Sequence, residues 1–276
     1  MIISKIQGGL GNQMFQYAAG VAAAKRFGTQ ALADISWFAH QNGDTHRRYE
    51  LSVFNIKTFN SPFWWNYPVI RDRIYSTIKE PKNLSLSKPF FKLQRDKVIL
   101  SGYWQSEQYF IDVEQEIRKL YSFPKCSNVD IKRLSNQIIH TNAVSLHIRR
   151  GDYANNTKTK AFHGLLPLSY YKKAIDYISS NVSDPVYYVF SDDLDWANKN
   201  LKSNHPLVFV SHDGSAYEDM RLMSLCKHHI IANSSFSWWG TWLNKSKNKI
   251  VVAPKVWIKS STVDTSNIVP TNWIKL

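Results

Sequence analysis

Val144-Ser-Leu-His-Ile-Arg-Arg-Gly-Asp-Tyr153 is the stretch from which the fold is read. The apolar run Ala143 to Ile148 predicts a buried strand, with Arg149 and Arg150 at its exit. Two guanidiniums at a strand end are costly to bury unless an anion meets them, and the guanidinium fork matches phosphate bidentately. In an open α/β sheet, ligands bind just beyond the carboxyl ends of the strands. The segment therefore predicts a phosphate site, its place in the sheet and a neighbouring acid, Asp152. Side chains alternate along a strand, so His147 and Arg149 share one face and Arg150 takes the other. Arg149 is the expected phosphate ligand, and Arg150 is expected to pair with Asp152 or hold the loop. The plain alternative is a structural Arg–Asp ion pair.

Working outward, the C-terminal half alternates strand and helix. Strand 143–148 is followed by a predicted helix over 168–180, a strand over 186–190 and a helix over 193–201. Then come strand 207–210, helix 217–226, strand 229–232, helix 236–244 and strand 249–252. That rhythm predicts a doubly wound parallel sheet. The N-terminus begins likewise: strand 2–6, the turn Gly8-Gly-Leu-Gly-Asn-Gln13, helix 14–27 closed by Gly28, and strand 31–34. A strand over 98–100 and a helix over 106–121 follow, while residues 57–97 are basic, aromatic and without regular period. The expectation is two domains, 1–135 and 136–276, joined in the region 124–141.

Composition narrows the function classes. A hydrophobic content of 43% is ample for packed cores, which excludes global disorder. The formal charge of +14 implies anionic partners: nucleic acid, an anionic membrane surface or phosphorylated substrates. Cys126 and Cys226 are too few for a disulfide framework. The N-terminus lacks the apolar core of a signal peptide, and no run nears about 20 apolar residues, so a cytoplasmic protein is expected. The Asn-X-Ser/Thr matches at Asn83, Asn155, Asn181, Asn233 and Asn244 are then read as chance.

Several motifs carry two readings. The Gly8–Gln13 turn opens a helix, an anion site through backbone N–H groups, with the amides of Asn12 and Gln13 at its mouth. It is no P-loop, and Met14 stands where a dinucleotide fingerprint has its third small residue, although Asp34 keeps that reading open. A tight turn without ligand is the other reading. Ala232-Asn-Ser-Ser-Phe-Ser-Trp-Trp-Gly-Thr-Trp242 is a second strand-to-helix switch, in which Ser234 and Ser235 cap a helix start suited to a diphosphate. Its tryptophans are either core or a sugar-stacking surface. Ser191-Asp-Asp-Leu-Asp195 contains an Asp-X-Asp, read as helix capping in preference to metal binding. The basic segment 57–97 suits nucleic acid, anionic lipid or an active-site cover, but no nucleic-acid-binding signature accompanies it.

Taken in order, Gly8-Gly-Leu-Gly-Asn-Gln-Met-Phe-Gln-Tyr-Ala18, Gly102-Tyr-Trp-Gln-Ser106, His147-Ile-Arg-Arg-Gly-Asp-Tyr153, Phe190-Ser-Asp-Asp193 and Ile231-Ala-Asn-Ser-Ser-Phe-Ser-Trp-Trp-Gly240 resemble the bacterial α-1,2-fucosyltransferases of glycosyltransferase family 11. The resemblance implies a GT-B fold, two Rossmann-like domains facing across a cleft, with GDP-fucose held mainly by the C-terminal one and the acceptor on the N-terminal side. It implies inverting transfer of L-fucose from GDP-β-L-fucose to a galactose 2-hydroxyl without a metal, in O-antigen or capsule assembly. Arg149 would bind the β-phosphate with help from Asn233, Ser234, Ser235, Phe236 and Ser237. His147 and Asp219 would lie near the guanosine, Asp192 would belong to the donor site, and Asn12 would reach the diphosphate.

The residues suit that chemistry. Loss of GDP from the anomeric carbon builds charge on the β-phosphate, which Arg149 and preset N–H donors can stabilise. The acceptor hydroxyl needs a base, for which Asp152, His163 and Glu107 are candidates. The expected partners are a galactose-containing glycan acceptor, free or lipid-linked, and an anionic membrane surface in peripheral contact, with no nucleic acid. A silent nucleotide- or glycan-binding protein and a nucleic-acid-binding module are the alternatives from other classes.

Overall fold

Short apolar segments separated by amphipathic ones build two parallel sheets, each covered by helices. The computed structural model describes residues 1–41, 46–62, 65, 67–151, 162 and 164–276. The chain divides into one unit of Met1–Pro124 with Thr262–Pro270 and another of Lys125–Ser261 with Thr271–Leu276.

The first unit begins with β1 (Ile2–Lys5), α1 (Leu10–Arg26) and β2 (Ala31–Asp34). It continues with α2 (Pro68–Ile74), β3 (Ser76–Lys79), α3 (Lys88–Phe91), β4 (Val98–Ser101) and α4 (Glu114–Leu120). Its four strands lie in the order β2-β1-β4-β3, all parallel. The alanines of α1 let the helix approach the sheet closely. At Gly20 a Cβ would stand 2.1 Å from Ser4 Oγ, so only glycine fits. Gly28, at φ +56°, turns the chain out of that helix as expected.

Two expectations for this unit are corrected. Residues 57–97 do contain regular structure: β3 is an edge strand of only four residues, half covered, which leaves a faint alternation. The predicted helix 106–121 is instead two 3-10 turns, Glu107–Tyr109 and Ile111–Val113, ahead of α4. Phe110 interrupts it with φ −140°, a conformation outside the helical range that accompanies full burial of its ring, 6.0 Å from that of Phe15.

The second unit holds α5 (Val129–Ile139), β5 (Asn142–Ile148), α6 (Leu168–Asn181), β6 (Pro185–Ser191), α7 (Leu194–Asn200) and β7 (Leu207–Phe209). Then follow α8 (Ala216–Leu225), β8 (His228–Ile230), α9 (Ser235–Leu243), β9 (Val251–Ala253) and β10 (Ile274–Lys275). The parallel order is β10-β9-β8-β5-β6-β7. On one face Val144, Leu146 and Ile148 pack with Tyr171, Ala174 and Ile178 of α6. On the other, Ala143, Tyr188 and Phe190 pack with Ile131, Leu134 and Ile138 of α5 and with Leu222 and Met223 of α8. The division therefore falls between Pro124 and Lys125, ahead of residue 136, because the apolar face of α5 is buried on the second sheet.

The strand orders position the site. From β5 the chain winds one way through β6 and β7, then returns to place β8 on the other side of β5. Between β5 and β8 the winding reverses, and the carboxyl ends of such a strand pair open a crevice. In the first sheet β1 and β4 form the same kind of junction. No helix among the described residues is long and apolar enough to cross a membrane.

Candidate active site

The two motifs singled out in the second unit leave the two strands that flank its switch point. His147 is the last residue but one of β5 and Arg149 follows the strand; Asn233 to Ser237 follow β8 and open α9. The rings of His147 and Phe236 stand 6.0 Å apart, which joins the two segments.

Arg149 is held by Asp192, from the end of β6, with Nη1 to Oδ2 at 2.9 Å; each side chain is about one-quarter exposed, at 25% and 24%. The other Asp192 oxygen accepts the Arg150 backbone N–H at 2.8 Å. One carboxylate thus sets both the direction of the guanidinium and the path of the chain behind it. Gly151 leaves room for this, since a Cβ there would meet Asp192 Oδ2 at 2.6 Å.

Arg150 turns to the opposite side, as strand alternation predicts. Its Nε lies 3.3 Å from Asp193 Oδ2, and its guanidinium stacks 3.8 Å from the Trp196 ring centroid. Arg150 thus pairs with Asp193, and its other expected partner, Asp152, lies outside the described residues. Asp193 also caps α7, its Oδ1 accepting from Trp196 N at 3.1 Å, so capping is its observed role in Asp-X-Asp. Among the described residues no group of three or more His, Cys, Asp or Glu could hold a metal.

His147 is buried, and its Nδ1 has no hydrogen-bond partner among the described residues. Burial, with the nearby Arg149 charge, pushes its pKa down to about 3 against an opposing contribution from Asp192. A neutral imidazole with an orphan buried nitrogen suits a polar ligand group better than proton transfer near pH 7. Asp219, on α8, accepts from His212 Nε2 at 2.9 Å, and burial raises its pKa while His212 opposes the rise.

The start of α9 is built as a capped turn. Ser234 Oγ accepts from Phe236 N at 3.3 Å, and Ser237 Oγ donates to Ser234 O at 3.3 Å. Asn233 is buried and donates through Nδ2 to Trp257 O at 3.2 Å and Gly164 O at 3.4 Å. Asn233 and Ser237 thus shape the turn. The rings of Trp238, Trp239 and Trp242 are buried core, which removes the sugar-stacking reading. Close packing of α9 on α8 fixes its direction: at Gly240 a Cβ would reach Met223 Cβ at 2.9 Å.

In the first unit the Gly8–Gln13 turn differs from its expected form. Gln13 is fully buried, donating to Gly8 O and Arg48 O at 2.8 Å and accepting from Glu50 N at 2.9 Å, so it braces a loop and does not sit at a ligand mouth. The first N–H of α1, at Leu10, bonds to the Glu50 carboxylate, whose pKa burial raises despite that bond and the Arg47 charge. The chain's own carboxylate thus meets this helix start. Asp34 is buried and accepts from Ser36 N at 3.0 Å, which caps the turn after β2. Asn12 Oδ1 accepts from Gln105 Nε2 at 2.7 Å.

Asp152 and His163 lie outside the described residues, and Glu107 opens the 3-10 turn after Ser106 in the first unit. Sequence reasoning missed Trp196, Glu50 and Glu80 because their roles come from contacts distant along the chain. Gln105 was visible only inside the Gly102–Ser106 motif.

The family model described as Glycosyl transferase family 11 matches residues 2–276. An alpha-1,2-colitosyltransferase of Escherichia coli is 34% identical over 100% of this chain and 99% of its own. The O-antigen biosynthesis glycosyltransferase WbnK, also of Escherichia coli, is 36% identical over 99% of each. A solved structure, NodZ alpha-1,6-fucosyltransferase soaked with GDP-fucose, aligns with TM-score 0.50 at 17% identity, covering 88% of this chain and 91% of that one. That likeness concerns the fold, which is of the GT-B class.

Proposed function

This chain belongs to glycosyl transferase family 11, and we propose that it transfers L-fucose, with inversion and without a metal, from GDP-β-L-fucose to the 2-hydroxyl of a terminal galactose. The observation that carries the reading is the meeting of Arg149, of His147 with its orphan Nδ1, and of the Ser234-capped start of α9 at one switch point.

In this reading the diphosphate lies against Arg149 and the N-terminus of α9. As the bond from the anomeric carbon to the β-phosphate oxygen breaks, that oxygen gains charge, which donors already in position stabilise without reorganising. Asp192 keeps the guanidinium aimed, and Asn233 and Ser237 keep the turn in shape. His147 stays neutral and offers Nδ1 to the nucleotide, with Asp219 on the same side of the ligand. Asn12 contributes a donor to the phosphates. Asp152 or His163 takes the acceptor proton.

The galactose belongs to an O-antigen or capsule unit, lipid-linked at the cytoplasmic face of the membrane, to which the charge of +14 draws the protein. The alpha-1,2-colitosyltransferase relative favours a second reading, in which the transferred sugar is colitose, fucose without its 3-hydroxyl. Measuring GDP release from GDP-L-fucose and GDP-L-colitose, each with a β-galactoside, decides between them. Preference for GDP-L-fucose is expected, and turnover of GDP-L-colitose alone overturns it.

A further inference from the structure

Sugar transfer assigns no task to the basic, aromatic segment 57–97, which lies within the first unit. It carries nine Lys and Arg against three acids, Asp72, Glu80 and Asp96. Each acid is engaged. Asp72 meets Arg71 at 3.0 Å and Asp96 meets the amino group of Met1 at 2.9 Å. Glu80 accepts the N–H groups of Tyr103 at 2.6 Å and Trp104 at 2.8 Å. Arg73 and Arg95, by contrast, have no carboxylate partner among the described residues.

Within this segment α2 turns apolar side chains to solvent. Pro68 sets its first turn, and Ile74 packs inward on the core of Ile3, Trp65, Tyr75 and Ile99. Arg71 lies on the same inner side, its guanidinium 5.9 Å from the Trp65 ring centroid. At about 100° per residue, Val69 and Arg73 then point outward one turn apart, with Ile70 beside them. Val69 is 70% exposed, Tyr67 at the helix start 60% and Ile70 43%. At the other end Arg95 donates to Ile74 O at 3.1 Å, which sets a second guanidinium beside the helix.

The chemistry of this face selects its partner. Val69 and Ile70 present neither a stacking plane nor a hydrogen bond, so they add nothing to nucleic-acid binding. A second copy would bring like charges together, and a helix of seven residues, about 10 Å long, falls far short of the roughly 800 Å² per partner of a stable interface. An anionic bilayer satisfies every group: phosphates meet the guanidiniums, the headgroup region takes Tyr67, and the acyl boundary takes Val69 and Ile70.

We propose that α2 is the membrane-contact face of the first unit: Tyr67, Val69 and Ile70 enter an anionic lipid surface, and Arg73 and Arg95 bind its phosphates. The inference gives a place to the membrane contact of the proposed function and rests on that part of it.

The test is co-sedimentation of the full chain with vesicles of phosphatidylcholine, alone or with about 30% phosphatidylglycerol. The unmodified protein is expected to sediment with the anionic vesicles and not with the neutral ones. Val69→Ser with Ile70→Ser is expected to lower the partition constant by roughly tenfold or more, the share of two partly buried aliphatic side chains. Arg73→Gln with Arg95→Gln is expected to lower it by roughly thirtyfold. Both proteins are expected to keep the thermal midpoint and GDP release with a soluble β-galactoside. Where the serine pair lowers the midpoint, Tyr67→Ser, which lies ahead of the first helical turn, is read in its place.

A loss from only one of the two pairs, or from neither, overturns this face and leaves membrane contact standing. Absence of vesicle binding by the unmodified protein overturns both, and binding to single-stranded DNA in its place assigns the charge to nucleic acid. Absence of GDP release overturns fucose transfer, and the vesicle results then still decide the role of α2.

Discussion

Replacing Arg149 by alanine tests the site at its centre. In the ligand-free protein Arg149 and Asp192 are each about one-quarter exposed and 2.9 Å apart. At a separation of 4 Å and an effective dielectric constant of about 20, two unit charges attract by about 4 kcal/mol before desolvation. Partly exposed pairs retain about 1 kcal/mol or less of that in net stability, so Arg149→Ala leaves the fold intact. The effect on transfer is larger. Removing one preset donor to a developing oxyanion costs about 3–4 kcal/mol, on the order of a hundred- to a thousandfold in kcat. The substitution also leaves the Asp192 carboxylate facing the diphosphate, so Asp192→Asn in the Arg149→Ala background is expected to restore part of the activity. Arg149→Lys keeps the charge but loses the fork, and falls between the two. The assay is steady-state GDP release with GDP-L-fucose and a β-galactoside, alongside thermal unfolding. An Arg149→Ala protein within tenfold of normal kcat/KM, or no recovery on adding Asp192→Asn, refutes the reasoning.

Other predictions concern the scaffold and its protonation. Gly20→Ala forces a methyl group to within 2.1 Å of Ser4 Oγ and is expected to destabilise the protein by about 1–3 kcal/mol in urea unfolding. Ser4→Ala in the same chain should recover part of that loss; an unchanged midpoint for Gly20→Ala contradicts the close helix–sheet contact. His147 has a folded pKa of about 3 against an ordinary value of 6.5. The unfolded chain therefore takes up the proton first: stability is fully present above pH 6.5 and is lost as the pH falls toward 3, by at most about 1.4 kcal/mol per pH unit. His229, also depressed by burial, adds a loss of the same sign, whereas Glu50, Glu80 and Asp219, raised by burial, oppose both. A comparison isolates His147: the stability of His147→Asn is expected to fall less steeply than that of the unmodified protein between pH 6.5 and 4.5, and equal slopes count against its burial as a neutral ring.

Much of the second unit was legible in the sequence because its strands are continuous apolar runs punctuated by caps. Ala143–Ile148 is buried on both faces, and the Ser234 cap announces α9 whatever packs around it. The placement of Arg149 and Arg150 on opposite sides followed from strand alternation alone. Their partners did not: Asp192, Asp193 and Trp196 come from the neighbouring strand and helix, and only parallel pairing of β5 with β6 brings them near. In the first unit local signals were weaker. The edge strand β3 has four residues, and Phe110 leaves the helical range where its buried ring meets Phe15. The amides of Asn12 and Gln13 look alike in sequence, yet Gln13 is buried among Gly8, Arg48 and Glu50 while Asn12 meets Gln105. Such distinctions depend on residues 35 to 93 positions away along the chain.

The transferred sugar and its linkage are the central claim, and product analysis tests both at once. The protein is incubated with GDP-L-fucose and lactose, type 1, type 2 or type 3 glycans, and the products are isolated and their linkages assigned by NMR. The account predicts a new α-configured fucose on the galactose O2 of at least one glycan. A product linked at another hydroxyl, a β-configured product, or GDP binding with no sugar transferred to any of the glycans contradicts it.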